Sequence, residues 1–304
     1  METHVPRPSS TPFLAPLAGY KPASQVLGRI GSLEVRLAAT KSEVEAAQAL
    51  RYRVFVEEMG ARLPEDAMLQ KRDFDSVDRY CDHLLVLDTA LTGDVEEQIV
   101  GTYRLLRQEV AARHDGFYSQ SEFDVADLVG RNAGKRFLEL GRSCVLHTYR
   151  TRRTLEALWQ GNWAYALNHE IDVMFGCASF PGDKPHAHAL ALSFLNNAAA
   201  ADASWQVKAI AGRGLSLDMM PVEAINPRAA LAAMPPLVKG YLRVGALVSR
   251  EAVVDPAFGT TDVLVILPVS QIMAVTLIII ARTPRVSPPE TAWRLANATE
   301  RPLS

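Results

Sequence analysis

Apolar and polar positions alternate from Leu33 to Ala38, the period-two pattern of a half-buried strand. Thr40 with Glu43 three residues on is a capping box that opens a helix. That helix runs through Ala46, Ala47, Leu50, Val54 and Phe55 to a stop near Gly60. A polar, charged loop follows from Arg62 to Asp82. His83 to Leu87 reads as a buried strand and Gln98 to Leu106 as its partner, with Gly93 and Asp94 in the turn of a hairpin. Phe137 to Val145 is a further strand. Thr154 to His169 places Leu155, Leu158, Ala166 and Leu167 at amphipathic helical spacing, and Asp172 to Ala178 is the next strand. Between 180 and 224 the pattern mixes Gly-containing loops with a short helix around Ala187 to Leu195. Pro227 is expected to open a helix that runs towards Tyr241 through Pro235 and Pro236, before strands at Glu251 to Val254 and Val263 to Leu267. Strands alternating with helices, with one antiparallel hairpin, predict an α+β fold with a mixed central sheet covered by helices.

The most apolar stretch, Val263 to Ala281, is long enough to span a membrane, but Pro268, Ser270, Gln271 and Thr276 interrupt it. It reads as a buried strand followed by a second apolar element. A length of 304 residues with 48% hydrophobic and 22% charged content fits a soluble globular chain with a substantial core. The formal net charge of −2 excludes a globally basic nucleic-acid binder and leaves only local patches to attract acidic partners. Cys81, Cys144 and Cys177 are odd in number and lack metal or redox spacing, which suits a reducing cytosol. The first thirty residues carry five prolines and no signal-like apolar run. The expected organisation is a flexible tail over 1–31, one domain over 32–282 and a C-terminal tail over 283–304.

Three segments carry a resemblance: Arg51-Tyr-Arg-Val-Phe-Val-Glu57, Val100-Gly-Thr-Tyr-Arg-Leu-Leu106 and Phe137-Leu-Glu-Leu-Gly-Arg-Ser-Cys-Val145. They resemble the acyltransferase family that includes bacterial ornithine N-acyltransferases and, more distantly, acyl-homoserine lactone synthases. Pro236-Leu-Val-Lys-Gly-Tyr-Leu-Arg-Val-Gly245 and Asp255-Pro-Ala-Phe-Gly-Thr-Thr-Asp262 resemble the ornithine branch. The resemblance implies a fold similar to GCN5-related N-acetyltransferases (GNAT), whose mixed sheet splays between its fourth and fifth strands to admit a thioester. It also implies that Arg51, Phe55, Asp75, Arg104, Phe123, Glu139 and Arg142 surround the active site. Ala61 stands where the lactone-synthase branch carries a tryptophan. The activity implied is transfer of a 3-hydroxyacyl group from acyl carrier protein to the α-amine of ornithine, with no metal or resident cofactor. Lactone synthesis and a membrane-active, haemolysin-like role are the alternatives.

Amide formation from a thioester needs a neutral amine, a donor for the developing oxyanion and a means of holding both substrates. Glu139 is the candidate base, directly or through a water. Glu139 and Arg142 are three apart in a strand and face opposite sides unless a bulge, for which Gly141 is suited, brings them together. A bulge there also frees a backbone N–H for the oxyanion. A salt-bridged or solvated strand pair is the alternative. Acetyl-CoA enzymes of this fold follow the fourth strand with a glycine-rich phosphate cradle. Here His147-Thr-Tyr-Arg-Thr-Arg-Arg-Thr154 contains no glycine. Arg150, Arg152, Arg153 and Thr154 are therefore expected to receive the phosphopantetheine arm of an acidic carrier protein. Seven cations against one acid between Arg131 and Arg153 fit such a partner. Asp75 and Arg104 would position the amino acid's side-chain amine and carboxylate, or brace the loop from Arg62 to Asp82. His83 with Asp88, and His186 with His188, lack the geometry or the third ligand to form a dyad or a metal site. The expected place of work is the cytoplasm, with peripheral contact to the inner membrane.

Overall fold

The computed structural model describes residues 26–272. Nine strands form one sheet: β1 Gly28–Ile30, β2 Leu33–Leu37, β3 Asp82–Asp88, β4 Ile99–Arg107, β5 Phe137–Val145, β6 Val173–Pro181, β7 Leu215–Ser216, β8 Leu247–Asp255 and β9 Thr260–Pro268. Their order is β1-β2-β3-β4-β5-β6-β9-β8-β7. Every neighbouring pair is antiparallel except β5 and β6. That parallel pair is in register only over Phe137, Leu138 and Glu139 against Val173, Met174 and Phe175, and then the strands part. Because β1 precedes the first expected strand, this fork lies between the fourth and fifth strands of the sequence reading. Residues 28–30, expected in the tail, are thus part of the sheet.

The alternation along each strand divides the core between two faces. On one, the helix Arg152–Asn168 lies across the sheet, and its Gly161 comes so close that a Cβ would stand 2.4 Å from Val35 Cγ1. Leu84, Val86, Leu138, Leu140 and Met174 fill this side. On the other face, Leu50 of the helix Lys41–Tyr52 packs on Leu85 and Leu87, beside a cluster containing Phe123, Phe137, Phe175 and Leu264. The Thr40 cap forms as the sequence reading expects: its hydroxyl accepts from Glu43 N at 3.2 Å.

That helix passes at residue 53 into a π-helical turn, Arg53–Glu58, with Met59 N donating to Val54 O at 3.1 Å. Gly60, at φ 79°, ends it in the left-handed conformation that glycine adopts without cost. The helix expected from Pro227 to Tyr241 is instead two, Pro227–Ala233 and Pro236–Arg243. Pro235 offers no N–H and disfavours helical backbone at Met234, which sits at ψ 145°. Among the described residues no helix is long and apolar enough to cross a membrane. The apolar run beyond Ile272 and the C-terminal tail lie outside the described residues, as do residues 1–25.

Candidate active site

Just past the fork, Thr102 of β4 faces Cys144 of β5 whereas Arg104 faces Gly141, so Arg142 and Ser143 together oppose Tyr103. This is the expected bulge. Its left-handed residue is Arg142, at φ 51°, and not Gly141. Such backbone is uncommon for a side chain of this size and needs support from its surroundings. Arg142 has that support: Nε donates to Asp73 Oδ2 at 3.2 Å and Nη2 to Tyr118 Oη at 3.2 Å. Its guanidinium lies 4.7 Å from the ring centre of Tyr118 and 4.5 Å from that of Phe258. Phe258 in turn meets Phe55 edge to face at 5.6 Å.

Three arginines and three aspartates interlock beneath this surface. Arg51 Nε donates to Asp73 Oδ2 at 2.7 Å and Nη2 to Asp78 Oδ1 at 2.8 Å. Arg104 Nη1 donates to both oxygens of Asp75, at 2.7 and 2.8 Å. Asp75 also caps the 3₁₀ turn Ser76–Arg79, accepting from Val77 N at 2.9 Å. Burial works against charge at Asp78, but Arg51 and Arg104 outweigh it and hold the carboxyl well below the usual range. His83, buried beside Asp78, is pushed down by desolvation. Asp75 and Asp78, both held low by the arginines, therefore stay ionised at neutral pH, and the network fixes the loop between helix and β3.

Glu139 is buried, and each carboxylate oxygen is held. Oε2 accepts from Tyr118 N at 2.7 Å, and Oε1 accepts from Ser119 N at 2.8 Å and from Ser119 Oγ. Burial pushes its pKa up while these donors pull it down, leaving it above an ordinary glutamate. Val77, Arg104, Leu106, Tyr118, Glu139 and Gly141 enclose a cavity of about 10 Å³, room for roughly one water. The larger depression of about 610 Å³ at Glu223 to Arg228 is lined by none of these residues.

The structure brings Arg104, Glu139 and Arg142 together with Asp75, and sets Phe55 at their edge through Phe258. It does not expose Arg51 or Phe123, both at 0% accessibility, so any influence they have on substrate passes through neighbours. Asp75 is engaged as a brace, bidentate with Arg104, and is no ready partner for an amine. Thr154 is buried within the helix cap, its N–H donating to Thr151 Oγ1 at 3.3 Å. The basic stretch is also less cationic than its composition. Arg131 pairs with Asp127, Arg136 with Glu170, Arg150 with Glu58 and Arg152 with Glu156, while Arg142 is turned inward. Arg150, Arg152 and Arg153 nevertheless stand exposed at the start of the helix Arg152–Asn168.

Sequence reasoning missed Asp73, Asp78, Tyr118 and Phe258, and also a second acidic group on the same face of the sheet. There Glu122, Cys177 and Asp262 place their ligand atoms within 4.8 Å of one another. Cys177 Sγ donates to Glu122 Oε2 at 3.4 Å. Burial, with Asp262 adding to it, pushes Glu122 up to about 7, and burial pushes Asp262 up to about 6. An acid heading the apolar run Val263 to Leu267 was the available signal for Asp262.

Comparison with known proteins gives the chain its relatives. Residues 50–160 match the family described as acetyltransferase (GNAT) domain. The L-ornithine N(alpha)-acyltransferase of Agrobacterium fabrum is 64% identical over 247 residues, covering 81% of this chain and 84% of that one. That of Rhizobium meliloti is 63% identical over 251 residues, covering 83% and 85%. Among solved structures, an N-acyl amino acid synthase from uncultured soil microbes aligns over 83% of this chain and 98% of its own, at 12% identity and a TM-score of 0.42. A CoA-dependent acyl-homoserine lactone synthase aligns over 84% and 92%, at 16% identity and a TM-score of 0.40.

Proposed function

The chain belongs to the L-ornithine N(alpha)-acyltransferase family and carries a GNAT acetyltransferase domain, and from that premise we propose that it moves a 3-hydroxyacyl group from acyl carrier protein to the α-amine of L-ornithine. The product is a lyso-ornithine lipid. The observation that carries the chemistry is the fork: β5 and β6 part immediately after Glu139 and Phe175, and the bulge at Arg142 lies beside the opening. A thioester entering there lies along an unpaired strand edge, and a bulge leaves a backbone N–H outside the ladder for the carbonyl oxygen.

In the proposed reaction the neutral α-amine attacks the thioester carbonyl, the C–N bond forms and the C–S bond breaks. The thiol of the phosphopantetheine arm leaves with one proton. That proton is the one the nitrogen gives up, and it travels from the amine by way of Glu139 and the small cavity beside it, because both carboxylate oxygens are already occupied by Tyr118 and Ser119. Arg142, braced by Tyr118 and Phe258, offers its positive charge to the ornithine carboxylate. The arm's phosphate would meet the N-terminal amides of the helix Arg152–Asn168, with Arg150, Arg152 and Arg153 at the surface. Work at the cytoplasmic face of the inner membrane fits an amphiphilic product.

The test is an assay of the purified chain with ornithine and either 3-hydroxyacyl carrier protein or the matching acyl-CoA, read by mass spectrometry. N-acylornithine is expected, with kcat/KM about tenfold or more in favour of the carrier-protein donor, since only that donor presents an acidic surface. Absence of acylated ornithine with both donors overturns the reading, and equal use of both overturns the donor assignment.

A further inference from the structure

We infer that Glu122 and Asp262, with Cys177 between them, form the pocket that receives the side-chain ammonium of the amino-acid acceptor and so select a basic amino acid. This rests on the ornithine acyltransferase reading and assigns the part of that substrate which the chemistry at Glu139 does not touch.

Placement is the first argument. Ser119 and Tyr118, which hold Glu139, belong to the 3₁₀ turn Tyr118–Ser121, and Glu122 follows that turn directly. Phe175 is in register with Glu139, and Cys177 lies two residues further on the same face of β6, beyond the last paired position. Two residues of strand cover about 6.6 Å. Five bonds of roughly 1.5 Å separate the two nitrogens of ornithine, about 6 Å in the extended form. An α-amine level with Glu139 therefore sets its δ-ammonium level with Cys177. Asp262 comes to the same place from β9, where it faces Ser179 and its neighbour on that face, Leu264, faces Cys177.

Chemistry is the second argument. Asp262 is only 6% exposed, and its Oδ1 accepts no well-aligned hydrogen bond among the described residues, the Thr260 and Ser179 hydroxyls being the polar neighbours of its carboxylate besides the acidic group. Glu122, equally buried, has its guanidinium neighbour Arg213 at 3.9 Å, and Arg213 is itself spent on Ser121 O and Val254 O. Buried carboxylates held this way ionise at neutral pH when a cation comes between them. Two acceptors each about 2.9 Å from one tetrahedral nitrogen stand about 4.7 Å apart, and the ligand atoms here, all within 4.8 Å of one another, are close enough to share one ammonium. Burial also keeps the Cys177 thiol protonated, unlike a metal ligand.

The experiment is calorimetric binding of L-ornithine and of L-norvaline, the same chain without the δ-amine, to the full chain and to Glu122→Gln and Asp262→Asn. Each substitution is expected to weaken ornithine by about 10- to 100-fold, as loss of a charged hydrogen bond does, while norvaline changes by about twofold or less. Equal weakening of both ligands, or an unchanged preference, overturns the assignment, as does stoichiometric metal bound at these residues. Should a variant fail to fold, the wild-type chain still decides. Its preference for ornithine should fall as pH drops from 8 to 5.5 and both carboxylates take protons, in surroundings that also contain Cys177, Glu139, Asp255, Arg142 and Arg213; a flat preference overturns it. Turnover runs alongside. Selective binding without acylation of ornithine sinks the transferase reading and keeps the pocket, and acylation with unaltered selectivity in the variants does the reverse.

Discussion

At Glu139 the three donors converging on one carboxylate decide what substitution means. Glutamine would turn an NH2 towards a backbone N–H of Tyr118 or Ser119, so Glu139→Gln removes basicity and also loosens the turn that carries Tyr118. Turnover is expected to fall by about 10² to 10⁴, and raised pH should restore part of it as free amine accumulates. Stopped assays across pH on folded variant check this, and unaltered kcat removes Glu139 from the chemistry. Glu122 shares a raised pKa but has no backbone N–H donors on its carboxylate among the described residues, so its charge costs stability. Its folded pKa of about 7 lies above that of an unfolded glutamate, so its contribution is complete below about pH 4.5 and is lost as pH rises through 7. Glu122→Gln should therefore be more stable than wild type at pH 8 by on the order of 2–3 kcal/mol, and similar at pH 5. Melting curves without ornithine test this. A variant no more stable at pH 8 would mean the carboxylate is already compensated.

Between elements, the decisive joints are one ion pair and one glycine. Arg51 fastens the helix Lys41–Tyr52 to the loop before β3 through Asp73 and Asp78. Arg51→Met takes the shared cation from two buried carboxylates, leaving Asp73 to Arg142 at 3.2 Å and Asp78 to Arg104 at 3.6 Å, and should cost about 3–5 kcal/mol in urea unfolding. A cost under about 1 kcal/mol would show that Arg104 carries Asp78 alone. At the fork, a Cβ on Gly176 would stand 2.2 Å from the backbone oxygen of Leu140. Gly176→Ala must push β6 from β5 at the point where the thioester is proposed to enter. It should raise KM for the donor and lower the melting temperature together, and separate movement of either would contradict the shared cause. These elements also show what was legible. Phe137–Val145 and the Thr40 cap are local patterns, and they appear where the periodicity puts them. The break at Pro235 is local too, since a residue without an N–H ends the helix that the apolar spacing alone would carry on to Tyr241. The acidic pocket joins positions 122, 177 and 262, and no spacing along one segment can announce a contact made by three.

Over the whole molecule, charge near the candidate donor entrance is sparser than the count of arginines suggests, because acids from outside the basic stretch neutralise most of it. The fold class was readable from alternation and order, whereas this neutralisation depends on surfaces brought together only by folding. Arg152 and Arg153 remain exposed. Reversing both to glutamate should raise KM for acylated carrier protein and flatten its salt dependence while leaving KM for ornithine unchanged; an unaltered donor KM removes them from docking. The fork has one more consequence. With β1 to β5 on one side and β6, β9, β8 and β7 on the other, two antiparallel leaves meet along a seam of three paired positions. Such a seam is where slow amide exchange should be interrupted: protons of Leu138 to Leu140 and Met174 to Gly176 should exchange faster than those of β3, β4 and β9, and a bound acyl chain should slow them. The same short seam at which the thioester is proposed to enter would then set how readily a greasy product leaves.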